Sequence, residues 1–361
     1  MKIEEIGSNE TIKKESVMAT LVETEKQELV PAGYVPIVLS TKGKIGAPEK
    51  FHIRNFKTKD IMSLALTEEE ALPERLVSLL QDLIYEKEVD VKKFHENEII
   101  ETMLLLYHSF YADTIEVPFP IEEEDFEYLR EKYPPAVAAE KIQDITSGKW
   151  KPQTTISISK DIDTYELPSD FSSVAIVKSK QSGFTLGFRL PYYGDTIIVK
   201  KWLRETFGDS EKKFQKTAKI LEIQEKMTRD AELGKEVHWE SIPRISDQEE
   251  EEYNNFRIQR AGVIVDIVRA LHLYIYDGED VSNKSLSERY EMIQDPRIDE
   301  RVARKLDKHF EDMQFGVIPE VKMRNPLTEE ECQRRYSFRL VDILQAASVS
   351  TDDEYEFISS V

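Results

Sequence analysis

The order in which hydrophobic periods change along the chain constrains its fold more than any single motif. Leu76, Leu79, Leu80, Leu83 and Ile84 recur at the three- and four-residue spacing of one buried helical face. Ile99, Ile100, Met103, Leu104 and Tyr107 repeat that stripe in a helix expected from about Phe94 to Phe110. Between 151 and 200 the pattern changes to short runs rich in Ile, Val, Thr and Phe. These are TTISISK, SSVAIVKS, SGFTLGFRLP and GDTIIVKK, cut by Asp, Ser, Pro and Gly turns, and they read as antiparallel strands. Helical spacing returns from Trp202 to Met227 and from Ser246 through LYIY, where Ile264, Val265, Ile267, Val268 and Leu271 make the helix apolar on much of its circumference. GVIPEVKM and YSFRLVDIL read as a closing strand pair. The expected class is α+β: a helical N-terminal lobe, a central antiparallel sheet, and a helical C-terminal lobe closed by a short strand pair.

Turn and cap chemistry sets the expected boundaries. Pro31, Pro36 and Pro48 alternate with Gly33, Gly43 and Gly46, so residues 1–50 read as an extended arm whose apolar patch, Tyr34 to Leu39, either docks on a partner or packs loosely on its own domain. A helical lobe follows over 51–150, opened by the strand-like FHIRNF. Its helices break near Thr67, which forms a capping-box pattern with Glu70, and Pro73 falls in the first turn of the next helix. The β segment covers 151–200, a second helical lobe 201–314, the strand pair 315–345 and an acidic tail 346–361. Ser246 with Glu249 is a further capping box; DGEDVSNKS is a linker by composition, and Asp295-Pro296 starts a helix to about Met313.

Composition narrows the function classes. The 361 residues carry 70 Asp+Glu against 49 Lys+Arg, a net charge of −21, which argues against binding to nucleic acid through its phosphates. No apolar run reaches the ~18 residues of a membrane span, and the N-terminal MKIEEIGSNETIKKES lacks a signal peptide's apolar core. No membrane or export role is expected, so the sequons at Asn9 and Asn283 read as chance matches. A single cysteine, Cys332, excludes an intrachain disulfide and a multi-cysteine zinc site.

Catalytic chemistry finds little footing. None of His52, His95, His108, His238, His272 and His309 pairs at i, i+4, and His95 and His108 stand ~20 Å apart along one helix. His272, inside an apolar helix, reads as a core histidine. Cys332 lies in EEECQRR, where glutamates oppose any thiolate-stabilising effect of the arginines. Gly183 and Gly187 lack the residues of a phosphate loop. Between Ile121 and Lys132 six acids face two bases; acids in a first helical turn favour the dipole's positive end, a simpler reading than a metal site. No catalytic, cofactor-binding or metal-binding residue is assigned, no cofactor is expected, and the chain is expected not to be an enzyme.

Three stretches carry a family resemblance. FHIRNFKTKDIMSLALTEEEALPERLVSLLQDLIYE through ETMLLLYHSFYADTIEVPFP, then FTLGFRLPYYGDTIIVKKWL, then PEVKMRNPLTEEECQRRYSFRLVDIL together resemble the baseplate hub and tail-assembly family of T-even-type contractile-tailed phages. Relatives place Cys-x-x-Cys pairs at the last turn, where this chain has Asn325-Pro326-Leu327 and one cysteine, so a zinc-stapled turn does not carry over. The resemblance implies a structural component of the baseplate, located in the virion, touching several other baseplate and tail proteins. The arm and the acidic tail would clasp neighbours, with Tyr192-Tyr193 beside Pro191 as an interface anchor or a simple turn-packing pair. A transient tail-assembly chaperone is the alternative from the same resemblance, and an acid-based hydrolase using two carboxylates is the alternative from another class.

Overall fold

The computed structural model describes residues 30–339 except 66, 68–70, 166, 179–182, 233–243 and 299, together with Ile343 and Ala346. The fold is α+β, with its apolar side chains in two clusters.

The first cluster begins where an arm was expected. Strand β1 (Tyr34–Val38) pairs antiparallel with β2 (Lys50–Arg54), Ile37 opposite Phe51, and Ile37, Phe51 and Ile53 point into the core. The extended-arm reading fails for residues 30–50, and residues 1–29 lie outside the described residues. Pro36 is tolerated because its partner His52 sends its own N–H and C=O the other way, to Glu86 and Tyr85; no ladder bond needs the proline's missing donor. Gly46 lets the chain lie against the backbone of Lys93, where any Cβ would overlap the Lys93 carbonyl.

Helices α1 (Thr58–Ala65), α2 (Leu72–Leu83) and α3 (Glu96–Phe110) then supply the expected stripes, with Leu76, Leu79, Leu80, Leu83, Ile99, Met103 and Leu104 buried. The Thr67 cap does not form: Ala71 occupies the N-cap of α2 without a side-chain bond, and the Thr67 hydroxyl donates to the Ser63 carbonyl. Glu70 lies outside the described residues.

Strand β3 (Thr114–Pro118) pairs with β4 (Gln153–Ser157), and between them α4 (Glu123–Lys132) and α5 (Pro135–Thr146) form a small helical hairpin. The segment 151–200 is therefore not one sheet. Its first strand belongs to the first cluster; β5 (Thr164–Tyr165) awaits a distant partner; and β6 (Val174–Lys178) with β7 (Thr185–Arg189) opens the second. GDTIIVKK is no strand but the start of α6 (Tyr193–Glu232).

Helix α7 (Asp247–His272) starts at the expected Ser246–Glu249 capping box, yet ends before LYIY. Those residues form β8 (Leu273–Tyr276), which joins β9 (Glu279–Asp280) in the sheet order β6-β7-β8-β9. Helices α8 (Leu286–Ile293) and α9 (Glu300–Glu311) cover it, burying Ala175, Leu186, Phe188, Leu273, Ile293 and Leu306. The expected helix start at Asp295-Pro296 comes later, because Asp295 instead holds the Arg297 guanidinium and backbone.

The chain then returns to the first cluster. β10 (Gly316–Val317) pairs with β5, and β11 (Glu320–Arg324) with β12 (Glu331–Arg335), so the strand pair closes the first lobe and not the second. Its second strand is ECQRR; from the expected YSFRLVDIL, Tyr336 and Phe338 pack into the core.

Polar staples hold this lobe's loops. Glu98, fully buried at the third position of α3, accepts from the Thr41 hydroxyl (2.7 Å) and the N–H groups of Ala47 (3.1 Å), Gly46 (3.3 Å) and His95 (2.9 Å). Burial pushes its carboxyl pKa up, against the pull of those donors. Glu101 takes the Ser40 N–H and hydroxyl. Glu98→Ala is expected to destabilise the chain by about 3 kcal/mol in urea unfolding, since it orphans several buried donors. Amide exchange at Gly46 and Ala47 should speed up with it, and wild-type protection there would contradict the assignment.

Candidate interaction surface

The segment FRLPYYGD builds the base of the longest element. Pro191 ends β7, and the chain turns so that Asp195 closes the first turn of α6, its Oδ2 accepting from the Tyr192 N–H at 2.8 Å. Arg189 grips the same carboxylate with two bonds, Nη1 to Oδ2 at 2.9 Å and Nη2 to Oδ1 at 2.8 Å, and lies 3.8 Å over the Tyr192 ring. From the end of α7, His272 Nε2 stands 3.4 Å from Oδ2. One carboxylate thus joins β7, α6 and α7.

The same turn docks on the first lobe. The Tyr193 N–H donates to the Phe94 carbonyl at 2.7 Å, while Tyr193 and Ile197 pack against the first core. Gly194 sits where a Cβ would come within 2.8 Å of the Lys92 carbonyl oxygen. Tyr192-Tyr193 therefore acts as a turn-packing pair. His95, at the N-cap of α3, lies close enough to His272 for the two to repel when charged.

From this base α6 runs 40 residues and α7 26, lengths of ~60 and ~39 Å; the connection, 233–243, lies outside the described residues. The two helices are antiparallel. They are zipped by aromatic contacts of Phe207 and Phe214 with Phe256, and of Phe214 with Tyr253, at ring separations of 5.1 to 5.9 Å. Ion pairs flank this zipper, Arg260–Glu211 at 2.9 Å and Lys213–Glu252 at 3.1 Å. From the zipper back toward the base, α7 keeps an apolar row in solvent. Ile258 (73% exposed), Ala261, Gly262 and Val265 (45% exposed) follow the i, i+3, i+4, i+7 spacing of a helix-packing face.

The remaining candidates fall elsewhere. Cys332 on β12 donates its thiol to the Met323 carbonyl, and burial raises its pKa despite Arg334. His52 pairs with Glu86 and His108 with Asp113, His309 lies beside Phe310, and His238 is outside the described residues. Among the described residues no three His, Cys, Asp or Glu side chains are placed to hold a metal. In the acidic segment, Glu122 and Asp125 form the capping box of α4. Asp125 is buried and accepts from Asn325 Nδ2 at 2.6 Å, and Asn325 Oδ1 in turn takes the Leu327 N–H. The 325–330 turn is thus held by amide and carboxylate.

The sequence alone assigns no binding role to Asp195 or Asn325, although Gly-Asp after Leu-Pro is a visible helix-start signal. Nothing in the spacing joins His95 to His272.

Acid should weaken the base in two steps. Burial raises the Asp195 pKa, but bonds from His272 and Arg189 outweigh it and hold the carboxyl at about 2, so its stabilisation is complete above the ordinary value of 3.8 and is lost as pH falls toward 2. Burial, with a smaller push from His272, lowers His95 from 6.5 to about 4, so the neutral ring's contribution is present above 6.5 and fades between there and 4. Urea midpoints across that window should fall by an amount on the order of 3 kcal/mol in stability and fall less in His95→Gln; equal losses in both proteins would contradict the assignment.

Among the described residues no helix is long and apolar enough to cross a membrane. No family model, curated protein or solved structure matches this chain.

Proposed function

We propose that this chain is an architectural protein that works through contacts with other proteins and presents the α6–α7 hairpin as its outward contact element. The exposed row Ile258, Ala261, Gly262 and Val265 carries the reading. Small residues at its centre let a neighbouring helix approach closely, and the flanking Ile and Val then leave water, each contributing about 1.5–3 kcal/mol on full burial. Hairpins anchored at one end reach a partner without placing the lobes themselves in contact.

The assembly we infer is the baseplate of a contractile phage tail, with the chain resident in the virion beside other baseplate and tail proteins. Its support is the sequence resemblance, joined by one feature of the fold. The first and third resembling stretches, far apart in the chain, share one core, since β2, α2, α3, β3 and the β11–β12 hairpin all pack there. The second forms the base of the hairpin through Arg189 and Asp195. The three stretches thus belong to one body.

The double variant Ile258→Glu, Val265→Glu tests the contact row. Both positions are exposed, so stability should stay within about 0.5 kcal/mol of wild type, while the chain's recovery in purified particles, read by quantitative mass spectrometry, should fall steeply. Undiminished recovery would sink the contact-row reading, and absence of the wild-type chain from particles would sink residence in the virion.

A further inference from the structure

The sheet β6-β7-β8-β9 ends in two unequal edges. β9 is the acidic pair Glu279–Asp280, a short charged edge that offers a neighbouring strand little. β6 offers more. The Leu190 N–H donates to the Ser173 carbonyl at 2.9 Å, and this pair continues the β6–β7 register. Bonded pairs alternate along an antiparallel ladder, so Ser173, Ala175 and Val177 turn their N–H and C=O groups toward β7, and Val174, Ile176 and Lys178 turn theirs outward. The Thr185 carbonyl fits this parity, since it faces away from Lys178 to take the Asp277 N–H at 2.7 Å. Val174 is locked: the Ser172 hydroxyl donates to its carbonyl (2.9 Å) and accepts from its N–H (3.2 Å). Among the described residues no group takes the outward N–H or C=O of Ile176 or Lys178. The edge is also apolar on both faces. Ile176, 59% exposed, closes with Ile275 over Gly187, where a Cβ would come within 3.3 Å of Ile176 Cγ1. Val177, half-buried, packs on the second core from the opposite face.

We propose that β6 pairs antiparallel with β6 of a second copy of this chain, about a two-fold axis at Val177, joining the two four-stranded sheets edge to edge. The open groups select this register. Setting Ile176 opposite the partner's Lys178, and Lys178 opposite the partner's Ile176, pairs every open N–H with an open C=O and leaves the Ser172 lock on Val174 undisturbed. An axis at Ile176 would instead set Lys178 against the locked Val174. With the axis at Val177, that residue meets the partner's Val177 beside the second core, and Ile176 lies against the aliphatic stem of the partner's Lys178. Any extended strand can bond an open edge; a second copy supplies the matching groups and side chains by symmetry. The contact is small. Five-residue strands span about 17 Å and bury less than the ~800 Å² per partner of a standard interface, so the dimer is weak, with a dissociation constant on the order of 100 µM. It depends neither on the α7 row nor on which assembly the chain serves.

Sedimentation of the full-length protein at about 0.15 M salt, which screens repulsion between acidic chains beyond ~8 Å, should show dimers whose fraction rises between about 10 and 500 µM. Ile176→Pro removes an outward donor and leaves the β6–β7 ladder whole. It should weaken the dimer at least about tenfold with an unchanged thermal melt. In a Cys332→Ser background, Val177→Cys sets two thiols across the axis at a Cα separation of ~4.5 Å, within disulfide range. Two Val174→Cys thiols stand ~20 Å apart. Oxidation in a glutathione buffer should therefore link Val177→Cys into covalent dimers and leave Val174→Cys monomeric. A chain that stays monomeric to about 500 µM would overturn the proposal and leave the edge to a foreign strand. A dimer that Ile176→Pro leaves equally strong would overturn it, as would disulfide formation no faster at 177 than at 174, a comparison that stands even if Ile176→Pro fails to fold.

Discussion

A single buried carboxylate, Asp195, is the contact on which the rest of the architecture depends. It meets Arg189 from the sheet, His272 from the end of α7 and the N–H of Tyr192 at the start of α6, while the next-door backbone of Tyr193 bonds to Phe94 in the first lobe. Desolvating such a carboxylate is costly, and the cost is offset only when its hydrogen bonds are all made. Once they are made, the two apolar cores and the hairpin share a fixed origin. The hairpin needs one, because few of its residues are buried beyond the base, and over ~60 Å a tilt of a few degrees at the base moves the far end by several ångströms.

Acidity is the chain's most obvious compositional feature, and part of it is structural. Glu98, Asp125, Glu249 and Glu288 each occupy the third position of a helix and reach back to the backbone at its start, which satisfies donors that a helix leaves unpaired. Glu98 and Asp125 do more, tying the 41–47 loop and the 325–330 turn to helices distant in sequence. At the last turn of the resembling stretch, an amide–carboxylate pair holds the chain in place. The same chain leaves one α7 row apolar. It lies on the hairpin, the element with the least burial of its own.

What was legible in the sequence was whatever had a local period. The stripes of α2 and α3 and the Ser246 cap follow from spacing within a dozen residues. The misreadings share one cause, a distant partner overriding local preference. Pro36 and Gly46 suggested an arm, but Ser40, Thr41 and Ala47 are ordered by Glu98 and Glu101, more than fifty residues on. Ile197, Ile198 and Val199 have strand propensity, yet the Asp195 cap and the docking of Tyr193 and Ile197 on the first core make them helical. YSFRLVDIL was expected to pair with GVIPEVKM, but the turn at Asn325 brings ECQRR into register against β11 instead. At the candidate surface, the Ile258–Val265 row is readable as spacing, whereas its exposure depends on how α7 meets α6.

The account's central claim is that the Asp195 junction makes the two lobes one cooperative body carrying a rigid hairpin. Native-state amide exchange under increasing urea tests this most directly, by comparing Leu80 and Met103 in the first core with Phe188 and Leu273 in the second. The account predicts one shared opening free energy in the wild type and two distinct ones in Asp195→Ala, with the second core opening first. Separate opening of the two cores in the wild type would contradict it.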